Sequence, residues 1–324
     1  MEDPLRALLA AAPPAVRSAT ARDEPLCAHT TLRVGGPADL YWCARDADQL
    51  AEVLALAQRL GAPVTLLGGG SNVCISDRGV RGLVIRNRCE RAVVGPETHC
   101  EAGRSFMQLF VDTARASLSG LEFAVGIPGT LGGALVSNAG AYRQSIGEVV
   151  DRLEVVESGQ RRIVGADWMG FSYRDSRLRR SGAEPAAIIS VWLKLRPAPR
   201  SVILDRAREN QRNRIHRQPW QPSAGSFFKN VNDADLAARL PDLPDPLRAA
   251  GVVPAGYLSA ACGCRGLAVG GAQISPRHAN FIVNRGGATA ADVRSLAELV
   301  KRRVQEEFGV VLEEEVLYVG DWSP

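Results

Sequence analysis

Gly126-Ile127-Pro128-Gly129-Thr130-Leu131-Gly132-Gly133-Ala134, followed closely by Asn138-Ala139-Gly140-Ala141-Tyr142, is the stretch on which the reading of the chain turns. Four glycines and a proline fall within eight residues. Glycine reaches φ > 0 without strain and lets backbone come close to a ligand. Small residues continue through Ala134, Ser137, Ala139 and Ala141. A surface stripped of side chains in this way can lie flat against a rigid group. Its free N–H groups can also hold phosphate oxygens. A Gly-rich surface loop beside a tight crossover would share this composition.

A second stretch of the same kind lies upstream. Pro63-Val64-Thr65-Leu66-Leu67 reads as a short buried strand, and Gly68-Gly69-Gly70-Ser71-Asn72 follows it. Strand followed by Gly-rich turn is phosphate-cradling logic. No Gly-Lys-Ser/Thr follows, so it is not a P-loop. It is not G-x-G-x-x-G in a βαβ unit with a downstream acid either. Two such loops in one half of the chain point to one long, diphosphate-bearing ligand held at two places.

Composition sets the bounds. The 324 residues allow two or more domains, and 46% hydrophobic with 23% charged residues is ordinary globular usage. A net charge of +4 gives no reason to expect nucleic acid as a partner. No apolar stretch approaches a membrane span, and the acidic start does not resemble a secretory signal. Cys27, Cys43, Cys74, Cys89, Cys100, Cys262 and Cys264 are scattered. The expectation is reduced thiols, no metal, a monomer and a cytoplasmic location.

Along the chain, residues 1–20 read as a short helix and linker. Leu32 and Val34 suggest a strand ended by Gly35-Gly36-Pro37. Residues 46–60 form an amphipathic helix on Leu50, Val53, Leu54, Ala57 and Leu60, stopped by Gly61 and Pro63. Residues 105–118 form a second. Short strands are expected at 82–85, 92–94, 153–156 and 187–193. A basic helix follows at 202–217. Thr289 and Asp292 make a capping box for a helix ending at Gly309. The last strand carries Leu312-Glu313-Glu314-Glu315-Val316, and alternation leaves either Glu314 or Glu315 partly buried. The pattern is α+β.

Taken with Phe171-Ser172-Tyr173-Arg174-Asp175-Ser176, Gly225-Ser226-Phe227-Phe228-Lys229-Asn230 and Leu312-x-x-Glu315-Val316, the two glycine stretches resemble the UDP-N-acetylenolpyruvoylglucosamine reductase (UDP-N-acetylmuramate dehydrogenase) family, from about His29 to Gly320. That resemblance implies an FAD-binding, PCMH-type flavin domain of two subdomains at 29–198, after an N-terminal helix and linker at 1–28. A smaller α+β substrate-binding domain is implied at 199–324. It also implies an oxidoreductase of peptidoglycan precursor synthesis, and through it of cell-wall biogenesis, cell shape and division. The implied sequence is that NADPH reduces FAD and leaves, and that UDP-N-acetylglucosamine enolpyruvate then takes its place and becomes UDP-N-acetylmuramate.

The implied cofactor-binding residues are Leu67, Gly68, Gly69, Gly70, Ser71, Asn72, Gly126, Pro128, Gly129, Thr130, Gly132, Gly133, Asn138, Gly140 and Ala141. Arg174 is the implied carboxylate-binding catalytic arginine, a role that suits a planar guanidinium fork. Ser226 is the implied proton donor, and Glu315 assists at the developing charge. Tyr173, Arg217, Lys229, Asn230, Gln273 and His278 are implied substrate contacts. Blind to the family, Ser226 would read as a turn residue and His278 as structural. Val231 and Glu314 stand where the family usually has proline. A second carboxylate at Glu314 would raise the pKa of Glu315. Only Arg196–Ser201 separates the last flavin-domain strand from the basic helix. The expected subtype is therefore the one without a tyrosine-bearing insertion. An FAD oxidase with the same flavin domain would explain the glycine loops, but not Ser226 and Glu315. A non-catalytic nucleotide-sugar binding protein is the other alternative.

Overall fold

The computed structural model describes residues 3–180, 182 and 184–323. Two compact units interleave along the chain. The first runs to Glu24 and takes up Ala38–Gly69 and Val80–His216. The second comprises Pro25–Pro37, Gly70–Gly79 and Arg217 onward. The chain is thus not divided into the contiguous spans 29–198 and 199–324. The basic helix Arg200–Arg217 lies almost wholly with the first unit, and two short segments before residue 80 lie with the second.

In the first unit, a four-stranded sheet has the order Ala21–Pro25, Pro37–Ala44, Val80–Asn87, Val64–Leu67. Val80–Asn87 is parallel to both of its neighbours. A five-stranded antiparallel sheet runs Gln160–Gly165, Val150–Glu157, Ala186–Lys194, Glu97–Glu101, Ala92–Val93. The helix Ala47–Leu60 begins on Asp46, whose carboxylate accepts from the amides of Asp48 and Gln49. It stops at Gly61, which takes the left-handed conformation at φ +64°. Its apolar stripe, Leu50, Val53, Leu54 and Ala57, shares one core with Leu40, Trp42, Leu83 and Ile85 of the first sheet. Val156, Ala187 and Ile189 of the second sheet belong to the same core. A second core joins the helix Phe106–Arg115 to the antiparallel sheet and to Leu131, Ala134 and Leu135 of the glycine segment. The segment is therefore anchored through its few apolar side chains.

In the second unit the helix Ala290–Phe308 has the expected Thr289/Asp292 capping box and ends at Gly309. Its face of Val293, Leu296, Val300 and Val304 packs with Phe227, Phe228, Ile274 and Ile282. A three-stranded antiparallel sheet of Ala268–Val269, Ala272–Ile274 and Ile282–Asn284 contributes to that core.

Three local expectations need correction. Leu32 and Val34 are buried but not in a strand; Arg33 between them has φ +58°, which breaks strand alternation. The strand begins instead at Pro37, the residue expected to end it. Residues 1–20 hold two short helices, Pro4–Ala11 and Pro14–Ser18, rather than one helix and a linker. Leu312–Val316 is not a regular strand. Glu314 forms a single antiparallel bridge with Phe228, and a strand follows only at Leu317–Val319, parallel to Val73–Ile75. A partner of bridge length leaves no ladder to extend.

Leu50 is fully buried where both sheets of the first unit meet the helix. Leu50→Ala should lower the stability of that unit by about 2–5 kcal/mol, seen as a lower urea midpoint. A loss under about 1 kcal/mol would mean that the site collapses around the missing atoms.

Candidate active site

The two glycine stretches meet within the first unit. A Cβ on Gly69 would lie 2.6 Å from the Cα of Gly129, and one on Gly68 would lie 2.3 Å from Thr130 Oγ1. Gly69 is required by contact of backbone with backbone, and Gly68 by contact with the Thr130 side chain. Gly132 abuts the Ala102 carbonyl at 3.1 Å and Gly140 the Gln144 carbonyl at 2.3 Å. Gly133 differs. It is exposed, and a Cβ there would touch only Thr130 Oγ1, at an ordinary 3.5 Å. Among the described residues no acceptor lies on the amide N–H of Gly69 or Gly129. A bare glycine and unclaimed amides on two touching loops fit a diphosphate-bearing ligand. Leu67 is buried at the end of its strand. Gly70 belongs to the second unit, where its carbonyl accepts from the Thr31 amide at 3.0 Å.

The segment is tied to the Tyr173-Arg174 turn. Ser172 and Asp175 exchange backbone hydrogen bonds of 3.1 and 3.2 Å, leaving Tyr173 and Arg174 at the tip. Arg174 has φ +52°, where glycine is the usual residue. Asn138, Tyr142 and Arg143 also have positive φ. Such backbone costs on the order of 1–3 kcal/mol per residue and persists where its surroundings hold it. Here the Asn138 side chain donates to the Ser172 carbonyl at 2.8 Å and accepts from the Gly147 amide at 3.1 Å. Ser176 Oγ donates to the Val136 carbonyl at 2.7 Å. Arg174 Nη2 donates to the Gly140 carbonyl at 2.5 Å, and its guanidinium lies 5.4 Å from the centre of the Tyr173 ring. The arginine is thus aimed along the glycine segment from a fixed turn.

Ser226 and Glu315 are brought together in the second unit. The Glu315 amide donates to the Phe227 carbonyl at 2.8 Å, and the Lys229 amide donates to the Glu313 carbonyl at 2.8 Å. Phe227 and Phe228 are each only 1% exposed, so this pairing is rooted in the core. Asn72 Nδ2 donates to the Glu315 carbonyl at 3.0 Å, which ties one expected cofactor residue to the carboxylate-bearing segment. The Ser226 hydroxyl is half-buried and makes no hydrogen bond with the described residues. The neighbouring Glu314 carboxylate accepts from Lys301 Nζ at 3.0 Å, so its charge is offset by an ammonium.

The expected substrate contacts differ in how far the protein already engages them. Lys229 pairs with Glu313, Asn230 Oδ1 accepts from the Ala255 amide at 3.3 Å, and Gln273 Nε2 donates to the Gly266 carbonyl at 3.1 Å. His278 Nδ1 accepts from the Asn280 amide at 3.2 Å, which places the proton on Nε2. Burial, and then the charge of Arg265, pulls its pKa below the usual histidine value, so the ring is a neutral donor near pH 7. Tyr173 and Arg217 are exposed.

Two residues escaped the sequence reading. Asn280 is 4% exposed, and its amide brackets Phe228: Oδ1 accepts from the Phe228 N–H at 2.9 Å and Nδ2 donates to the Phe228 carbonyl at 2.9 Å. The Phe227 amide completes the clamp on the Asn280 carbonyl at 2.7 Å. Nothing in His-Ala-Asn-Phe marks this asparagine. The other is Arg214, one of six arginines on the helix Arg200–Arg217, whose Nε is buried without a partner. Its environment is invisible in a charge run.

The comparisons with known proteins identify the two α+β units as those of a flavin-dependent oxidoreductase. Residues 38–164 match the family described as FAD binding domain, and residues 217–319 match UDP-N-acetylenolpyruvoylglucosamine reductase, C-terminal domain. The reductase of that name from Moorella thermoacetica is 39% identical over 307 residues, 92% of this chain and 93% of its own. The Geobacter metallireducens reductase is 39% identical over 99% of this chain and 100% of its own. The crystal structure of the Thermus caldophilus reductase superposes with a TM-score of 0.72 at 35% identity, covering 93% of this chain and 98% of that one. The chain belongs to the UDP-N-acetylenolpyruvoylglucosamine reductase family.

The Asn280 clamp has a pH signature. In Asn280→Asp the ionised carboxylate accepts from the Phe228 N–H but cannot donate to its carbonyl. The variant should lose about 1–3 kcal/mol at neutral pH. A buried carboxyl has its pKa raised, so the stability lent by its protonated form is complete below the unfolded carboxyl pKa of about 4. That stability is lost as pH rises through the folded value. The urea-midpoint gap from wild type should therefore be smallest in acid and widen toward neutrality; a gap independent of pH would contradict the clamp.

Proposed function

We propose that the protein is an NADPH- and FAD-dependent reductase converting UDP-N-acetylglucosamine enolpyruvate to UDP-N-acetylmuramate. Its family membership supports the activity, and the pairing of Ser226–Lys229 with Glu313–Val316 carries the assignment of residues. Bound FAD supplies the relay of reducing equivalents from NADPH to the enolpyruvyl group. The chain's own groups do the rest. Gly69, Gly129, Thr130 and Gly133 would hold the diphosphate-bearing cofactor, the amides of Gly69 and Gly129 being those without an acceptor in the protein. Arg174 binds the substrate carboxylate, and its turn fixes the guanidinium before charge develops, so little reorganisation is needed during reaction. Glu315 orients the same end of the substrate from its backbone-anchored segment.

Ser226 delivers a proton to the substrate carbon that becomes electron-rich. A hydroxyl is a weak acid in water, but a positioned serine unengaged by protein acceptors can serve a strongly basic carbon. His278, through Nε2–H, and Arg217 bind the diphosphate of the nucleotide sugar. The C-terminal family match favours this reading over a flavin oxidase that shares only the cofactor domain. Strand Arg196–Pro197 is followed at once by the helix from Arg200, which fits the subtype without an insertion. Free thiols at all seven cysteines fit a reducing cytoplasm.

Gly133→Val tests the cofactor site. Its Cβ meets only Thr130 in the protein, so the variant should fold with a normal far-UV spectrum and purify without flavin. Wild-type flavin content would remove Gly133 from the site.

Ser226→Ala separates the half-reactions. In anaerobic stopped flow, NADPH should bleach the flavin at the normal rate. Reoxidation by the enolpyruvyl substrate should slow about 10²–10⁴-fold. Equal slowing of both phases would make Ser226 structural, and no slowing would assign the proton to another group.

A further inference from the structure

Glu313, Glu314 and Glu315 put three carboxylates in a row, and the second unit treats each differently. Backbone places the row. The Lys229 amide donates to the Glu313 carbonyl at 2.8 Å, and Glu314 bridges Phe228. The amides of Glu315 and Val316 both donate to the Phe227 carbonyl, at 2.8 and 3.4 Å. The chain bends there, and a strand begins only at Leu317. Among the described residues no ladder extends across the row, so side-chain partners decide where its carboxylates lie.

Two lysines take two of the three. Lys229 Nζ pairs with Glu313, whose side chain is 71% exposed, and an ion pair so open to water contributes little. Lys301 Nζ donates to Glu314 Oε1 at 3.0 Å, and here the two side chains are only 24% and 20% exposed. Lys301 also reaches Glu298, three residues earlier on the helix Ala290–Phe308, at 3.1 Å. A helix-surface lysine would need no more than that neighbour. Burial works against the ammonium, but the carboxylates of Glu314 and Glu298 outweigh it and raise the Lys301 pKa above the ordinary lysine value. Val300 and Val304, on either side of Lys301 along the helix, are fully buried in the core that holds Phe227 and Phe228. The lysine therefore starts from the same core as the Ser226 segment.

Tyr318 adds an aromatic neighbour to Glu314. Its ring meets Phe227 edge-on with centres 6.4 Å apart, and its hydroxyl oxygen is buried without a hydrogen-bond partner. Burial, and then the Glu314 charge, raises the pKa of that hydroxyl. A Glu314 carboxylate deprived of Lys301 would be an uncompensated charge beside buried rings and next to Glu315. A like charge there disfavours the ionised form of Glu315 and opposes the negative charge that develops on an already anionic substrate.

We propose that Lys301 is a positioning residue for the reaction: it sets Glu314 aside, so that Glu315 alone of the three presents a carboxylate to the enolpyruvyl substrate. This rests on the reading of Glu315 as the carboxylate that orients that substrate. Lys301 acts through Glu314, from a helix that carries none of the reacting groups.

Lys301→Met, Lys301→Arg, Glu314→Gln and the double variant Lys301→Met/Glu314→Gln test it, each as the full-length, flavin-loaded protein in anaerobic stopped flow. Saturating NADPH should bleach the flavin of all four at the wild-type rate. Reoxidation by the enolpyruvyl substrate should slow about tenfold in Lys301→Met, the size expected of a coupled charge pair. Lys301→Arg keeps the cation and should stay near wild type, as should Glu314→Gln, which has no charge to set aside. The double variant should recover most of the lost rate although methionine still stands at 301. Lys301→Gln, which keeps a polar chain on the helix, replaces Lys301→Met in the same series if the latter does not fold.

Wild-type reoxidation in the variant lacking the cation would overturn the proposal. So would equal slowing in the single and double variants, which would make Lys301 a packing residue of its helix, or an equal loss in Lys301→Arg. Glu315→Gln is the control for the underlying reading. Wild-type reoxidation in that variant would remove Glu315 itself from the reaction, whatever Lys301 does.

Discussion

Backbone laid directly on backbone is the constraint from which the first unit's candidate site follows. Gly69 approaches Gly129 so closely that a side chain on Gly69 would run into the other loop's backbone. The crossing fixes the two loops against each other and leaves amides of both without internal acceptors. It also explains why the segment needs strained anchors. Asn138, Tyr142, Arg143 and Arg174 sit at positive φ around it, and side-chain bonds from Asn138 and Ser176 hold that geometry in place. Arg174 inherits its direction from this arrangement.

The second unit solves a different problem, that of holding a serine and a glutamate on one short pair of segments without a regular sheet. Here burial supplies the rigidity. Phe227 and Phe228 fill the core, and Asn280 replaces missing ladder hydrogen bonds with its own amide. Breaking such a fully buried amide pair leaves two polar groups of Phe228 unsatisfied, which is costlier than losing a surface bond. The reactive side chains themselves stay uncommitted or lightly committed, while their backbones are over-determined.

Charge is treated unequally across the molecule. Buried Glu157 is paired with Arg162 and Arg177, and Glu314 with Lys301. Arg214, with its Nε buried and unpartnered, has the Tyr142 ring and the charge of Arg174 for neighbours instead.

The sequence by itself determined the class of fold, the helices with their caps, the two glycine stretches and the Tyr-Arg-Asp-Ser, Gly-Ser-Phe-Phe-Lys-Asn and Glu315 motifs. These are local: periodicity, capping chemistry and glycine content act over a few residues. Reading Leu32 and Val34 as a strand failed because alternation reports burial, while the φ of Arg33 depends on surrounding backbone. Only the tertiary structure decided which glycines serve chain contact and which leave open space, since that depends on what lies opposite each Cα. It alone joined Ser226 to Glu315, about ninety residues apart, gave Asn280 its role and set Arg214 against the glycine segment. An asparagine between alanine and phenylalanine, or an arginine in a basic run, acquires meaning only from partners, and distance along the chain hides partners that folding brings together.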